Sequence, residues 1–177
     1  KPGVNEDKLA RGKVGGIINM TKGAGSTISN CINNGDARSE KQNVIDDGKP
    51  TIRSDYAGGI IALIQHTTTI KNCKNTGNIS GYNYHVGGIV GGAADNTAGK
   101  ATFKVEIKKC VNTGNITSSE IVEDGHNAGA IIGLCGTASA VSIDNCTNEK
   151  GAITGGTAYD NGSLVGLAGN DSTVVIK

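Results

Sequence analysis

The chain has 177 residues, and 17 basic against 16 acidic side chains leave a formal charge of only +1. Such a balance excludes a strongly basic nucleic-acid surface. With no Trp, one Phe and four Tyr, the chain also lacks the aromatic platform on which single-strand binders stack bases. No apolar run approaches the roughly 18 residues of a membrane span, so no membrane insertion is expected. The opening KPGVNEDKLARGK is polar and carries no signal peptide, which fits a piece of a longer exported parent.

Composition already selects a class. There are 28 Gly, 18 Asn and 16 Thr, and Ile plus Val number 32 against 5 Leu. Side chains branched at Cβ pack well on a pleated surface and crowd a helix, so an all-β chain is expected. A core without large rings calls for thin, regular layers rather than a helical bundle or a pocketed α/β fold.

In chain order, residues 1–13 are charged and without alternation, and are read as an N-terminal cap or extension. From residue 14 to 177 the chain repeats. The first half of the unit is Val14-Gly15-Gly16-Ile17-Ile18, Ala57-Gly58-Gly59-Ile60-Ile61, Val86-Gly87-Gly88-Ile89-Val90 and Ala128-Gly129-Ala130-Ile131-Ile132, with a weaker fifth copy at Asn161-Gly162-Ser163-Leu164-Val165. The second half reads ISNCINNG from Ile28, IKNCKNTG from Ile70, IKKCVNTG from Ile107 and IDNCTNEKG from Ile143. Three copies continue into a short strand, at Asn78-Ile79-Ser80, Asn115-Ile116-Thr117 and Ala152-Ile153-Thr154. The repeated cysteines lie 42, 37 and 36 residues apart, the mark of a fixed unit with variable inserts.

Each unit is thus expected to hold three short strands that cannot stand alone. Stacked, equivalent strands pair in parallel about 4.8 Å apart and line their aliphatics into inner ladders. The expected fold is a β-solenoid, a parallel β-helix of four to five irregular rungs with inserted loops, forming a single domain. Gly pairs are placed at its corners, where φ is positive or backbones come close. On that placement, Gly87→Val is expected to cost roughly 1 to 3 kcal/mol. Asn33, Asn75, Asn112 and Asn148, two residues after each Cys, are expected to hydrogen-bond along the stack and to tolerate left-handed turns.

The Gly-Gly-Ile-Val-Gly strand followed by Ile-x-Asn-Cys-x-Asn-Thr-Gly-x-Ile resembles the GLUG motif family, over roughly Val14 to Val165. The resemblance implies a right-handed β-helix from a bacterial surface or secreted protein, adhesin-like or part of an IgA-specific peptidase. It supplies no catalytic positions. Ala130 and Ser163, in place of the second Gly, and Lys109, in place of Asn, depart from the pattern.

Cys31, Cys73, Cys110 and Cys146 share one repeat position and Cys135 stands apart. The odd count and the repeat placement favour a ladder of free, buried thiols over a disulfide framework. Neighbouring rungs still lie within the range a disulfide spans. Zinc is not expected, since no Cys-x-x-Cys pair occurs and no His recurs beside the cysteines. Calcium is not expected either, because the nonapeptide Gly-Gly-x-Gly-x-Asp pattern is missing and Gly169-Asn170-Asp171-Ser172 is a lone acidic turn.

No nucleophile elbow, His-Glu-x-x-His or phosphate loop occurs. The carboxylates Asp46-Asp47, Asp95, Glu120, Glu123-Asp124 and Asp160, with His66, His85 and His126, fall in inserts or turns, where charge is ordinarily solvated. The chain is therefore expected to be non-enzymatic and free of cofactors. It reads as a cell-surface or secreted scaffold displaying Asp36 to Ser54, Gly92 to Thr102 and Ser119 to Asn127 toward a host surface protein or glycan. Tyr82, Tyr84 and His85 form the aromatic cluster best suited to stack on a sugar. The alternative is a carbohydrate-binding or carbohydrate-active β-helix. The fifth copy lacks its Cys half, so an open edge is expected there, paired with further chain or with a second copy.

Overall fold

The computed structural model describes residues 13–22, 25–38, 43–46, 49–52, 56–81, 85–94, 102–118, 127–136, 139–154, 161–169 and 172–177, without the side chains of 43–46, 49–52 and 161. Each repeat closes one coil of five short strands, and equivalent strands of successive coils pair in parallel to make five sheets. The first sheet holds Lys13–Gly15, Tyr56–Gly58, His85–Gly87, Asn127–Gly129 and Asn161–Gly162. The second holds Ile18–Thr21, Ile61–Ile64, Val90–Ala93, Ile132–Cys135 and Val165–Ala168. The third holds Ser26–Ser29, Thr68–Lys71, Phe103–Lys108, Ser139–Asp144 and Thr173–Ile176. The fourth has Ile32–Asn33, Lys74–Asn75, Val111–Asn112 and Thr147–Asn148, and the fifth has Ala37–Arg38, Ile79–Gly81, Ile116–Ser118 and Ile153–Thr154. The chain is an all-β parallel solenoid of four full coils and part of a fifth.

The repeat predicts three strands per unit, and the coil has five, because both repeated halves bend in the middle. In the first half the bend falls on the second Gly and the aliphatic after it. There, two successive amides point at one carbonyl of the next coil: Ile60 and Ile61 both donate to the Ile89 carbonyl at 3.0 Å. The same shared carbonyl recurs for Ile89 and Val90 on Ile131 and for Ile131 and Ile132 on Leu164. The backbone donors of the corner are thereby satisfied inside the fold. In the second half the bend falls on the residue before Cys. Asn30, Asn72, Lys109 and Asn145 have φ of 57°, 54°, 52° and 49°, the left-handed region. Asparagine tolerates that region because its short amide can hydrogen-bond locally.

The left-handed residue is therefore the one before Cys, and not the Asn two places after it. Lys109 occupies such a site without asparagine's tolerance. Lys109→Asn should raise the unfolding free energy by about 0.5 to 1 kcal/mol, read as a higher denaturation midpoint. No change would mean that the turn at Lys109 is already relaxed.

The core is a set of aliphatic columns. Ile28, Ile70, Ile107, Ile143 and Ile176 stand in register on the third sheet. The first four face the column Ile18, Ile61, Val90, Ile132 and Val165 on the second sheet across one cluster. A smaller cluster of Ala37, Ala57, Ile79, Val86, Ile116 and Ala128 joins the first and fifth sheets. Each fully buried Ile contributes about 1.5 to 3 kcal/mol of transfer free energy. The middle coils bury these columns completely, whereas the large exposed apolar side chains are Ile17, Ile32, Val175 and Ile176, in the first and last coils.

The longer stretches of chain between the described coil strands fall at two corners. One lies between the fifth strand and the first strand of the next coil, at residues 39–55, 82–84, 119–126 and 155–160. The other lies between the second and third strands, most extensively after Ala94, which is itself buried and donates to the Ile64 carbonyl. The expected insert boundaries shift accordingly. Asp36 to Arg38, Gly92 to Ala93 and Asn127 belong to the coils, where they complete strands or cap them. The first insert contains an antiparallel hairpin, Asn43–Asp46 with Lys49–Ile52. Lys13, assigned to the extension by its charge, begins the first sheet opposite Tyr56.

Candidate functional site

Three columns of polar side chains run through the stack. Asn33, Asn75, Asn112 and Asn148 point inward, and each Nδ2 donates to the Oδ1 of the next, at 2.8, 2.8 and 2.9 Å. The second hydrogen of each amide goes to a carbonyl of its own turn, Gly35, Gly77, Gly114 or Gly151, at 2.7 to 2.8 Å. Asn75 and Asn112 have no exposed surface, so the column meets the requirement that buried polar groups be paired. Outside it, Asp36, Asn78 and Asn115 each accept the amide of the following coil, from Asn78, Asn115 and Ala152. These residues hold the scaffold together and leave few polar groups over for a ligand.

The thiols form the third column. Cys31, Cys73, Cys110 and Cys146 occupy equivalent corners between third and fourth strands, and all five cysteines are free. Cys73 and Cys110 donate to the carbonyls of Lys71 and Lys108, two residues back, at 3.3 Å. Cys110, hydrogen-bonded between the thiols of Cys146 and Cys73 and buried, is pushed well above the ordinary thiol range. Burial alone pushes Cys135 up to about 12. Thiol titration in denaturant should therefore return five groups without reductant, while the native protein reacts first at the half-buried Cys31 and Cys146. Recovering only one free thiol would overturn this. A raised folded-state value also means that Cys135 stabilises the fold fully below pH 9. That contribution is lost as pH climbs from 9 toward about 12.

Of the aromatic cluster named from the sequence, Tyr82 and Tyr84 lie outside the described residues. His85 opens its strand in the first sheet, in register with Tyr56 on one side and Asn127 on the other. Its ring lies 5.1 Å from the Tyr56 ring at 42°, and its Nδ1 is 3.1 Å from the Asn127 amide nitrogen. With the amide nitrogen as donor, Nδ1 is the acceptor of this hydrogen bond. Tyr56 is buried and fills the space left by Gly92, where a Cβ would stand 2.5 Å from its ring. Sequence reasoning misses Tyr56. Aligning the residue before each Gly pair, Lys13, Tyr56, His85 and Asn127, is the signal that joins it to His85.

Among the described side chains the carboxylates are Asp36, Glu106, Asp144 and Glu149. Glu106 pairs with Lys108 at 2.9 Å, and this hydrogen bond and charge hold its carboxyl below the usual range. Asp36 is taken up by the Asn78 amide and Asp144 by the Asn145 side chain. Among the described residues no three His, Cys, Asp or Glu converge as a metal site, and no helix is long and apolar enough to cross a membrane.

No family model, curated protein or solved structure matches the chain. Its functional reading rests on the coil itself.

Proposed function

We propose that the chain is a non-enzymatic repeat scaffold of a secreted or cell-surface bacterial protein, which displays its inserts for adhesion or ligand contact. One observation carries this reading: the sequence varies at two corners of an otherwise regular body, and ten of the 16 acidic residues lie in the chain that joins fifth to first or second to third strands of the coils. A rigid stack holds such segments at fixed spacing, so weak contacts act together through a high effective concentration. The resemblance to GLUG repeats points the same way.

The test is binding of the purified chain to glycan, mucin and extracellular-matrix arrays, alongside a polysaccharide cleavage panel. The expected result is retention on at least one array with no cleavage product. Turnover in the panel would replace this reading by the carbohydrate-active one, and silence in both would leave a spacer.

A further inference from the structure

Third and fourth strands of every coil follow one another without an insert, so the outer surface of the third sheet and its corner with the fourth is unbroken. On the second and third coils this surface carries Lys71, Lys74, Lys104, Lys108 and Lys109. Lys71, Lys74, Lys104 and Lys109 are exposed, and the Lys108 side chain is 40% exposed. Lys71 and Lys108 stand in register on adjacent strands, about 4.8 Å apart along the stack. From Lys104 to Lys108 the strand carries the charge over roughly 13 Å at about 3.3 Å per residue, and Lys109 follows at the bend. Like charges held that close destabilise a sheet pair unless something offsets them. Among the described residues of the second and third coils only Glu106 does so, and Asp144 of the fourth coil stands in register with Lys108.

We propose that this lysine face binds an extended anionic polysaccharide, one bearing carboxylate or sulfate groups. A row of cations spread along a strand suits a polymer better than a single small anion. The neighbouring row is Thr27, Thr69, Glu106 and Ser142, so hydroxyls that match a hydroxyl-rich chain flank the one carboxylate that Lys108 pairs. The outward side chains of the third sheet include no aromatic ring among the described residues, so the face offers nucleic-acid bases no stacking partner. Binding of this kind is driven by charge and falls with salt. The inference deepens the contact-scaffold reading by naming a ligand class and moving the contact from the inserts to the coil.

The test measures affinity for heparin and polygalacturonate, with dextran as neutral polymer and single-stranded DNA as competing polyanion. At least one acidic polysaccharide should bind, weakening about tenfold or more between 50 and 300 mM salt, and dextran should not bind. Lys71→Glu/Lys74→Glu should lose at least about tenfold with an unchanged melting curve, and Lys22→Glu/Lys150→Glu, away from this face, less than about twofold. Glu106→Gln, which frees Lys108 without touching the core, should bind about twofold tighter and guards against a misfolded double variant. Equal losses from both double variants, tighter binding of DNA, or no binding of either polysaccharide would overturn the proposal. A neutral glycan retained on the arrays while both acidic polymers fail would sink this inference and leave the scaffold reading standing.

Discussion

Asn112→Ala is expected to lower the unfolding free energy by about 3 to 5 kcal/mol, one of the two largest effects of any single side chain here. Its amide sits at the centre of the inner column with no exposed surface. Removing it leaves one hydrogen of Asn75 without an acceptor, and both the Asn148 Oδ1 and the Gly114 carbonyl without a donor. Each buried orphan costs about 1 to 3 kcal/mol, and water enters only if neighbouring coils part. Asn112→Asp should be nearly as damaging, since a carboxylate accepts from Asn75 but donates to neither remaining partner. The exposed Asn34 provides the control, and its change to Ala should cost under about 0.5 kcal/mol. Urea titration of the three variants decides the matter. A loss below about 1 kcal/mol for Asn112→Ala would show that the column contributes little beyond packing.

The second large effect is expected at Gly87. A Cβ built there would stand 1.8 Å from the Val90 carbonyl oxygen and 2.8 Å from the Gly133 nitrogen, both backbone atoms of the second sheet. Neither atom can retreat without opening the coil. Gly87→Ala should therefore cost more than about 3 kcal/mol, and Gly87→Val should fail to yield folded protein. Of the two causes the sequence offers for a corner glycine, positive φ and close backbone, the second holds here. Gly87 ends a strand and crowds a neighbouring backbone, and among the described glycines the one with positive φ is Gly25, at 75°. Nothing lies within 4 Å of a Cβ on Gly25, so Gly25→Ala should cost only the left-handed penalty of about 1 kcal/mol. Comparing the two melting curves separates crowding from conformational strain. Similar small losses would show that the bend at Gly87 has room to widen.

The repeat makes the stack legible. Ile70 and Ile107 occupy one motif position and prove to be register partners, and Asn75 and Asn112 do the same one corner later. A stack of parallel coils turns sequence periodicity directly into spatial adjacency, so the members of each column can be read from motif position alone. Bends are harder to place, because a strand and a strand with a shared-carbonyl corner show the same run of aliphatics at Ile60-Ile61. The left-handed turn falls on a different asparagine from the expected one for a related reason. Asn72 and Asn75 both recur, and only the backbone shows that Asn72 turns while Asn75 bonds inward. The pairing of Tyr56 with His85 is hidden by distance in the chain, 29 residues with an intervening insert. The hairpin at Asn43–Asp46 and Lys49–Ile52 has no counterpart among the described residues of other coils, so periodicity cannot announce it.

The direction of the coil-to-coil hydrogen bonds gives the body unequal strength under force. Backbone bonds such as Lys74 to Cys31 and Val111 to Cys73 lie along the stack, whereas the strands run across it. Tension along the stack meets the coils one after another, in series, and peels them singly. Tension along a strand shears its whole row of bonds at once. An insert grown from the end of a strand transmits a pull in that second direction. A partner dragging on an insert thus loads the solenoid where it resists most, and a tether through the chain's two ends loads it where it resists least.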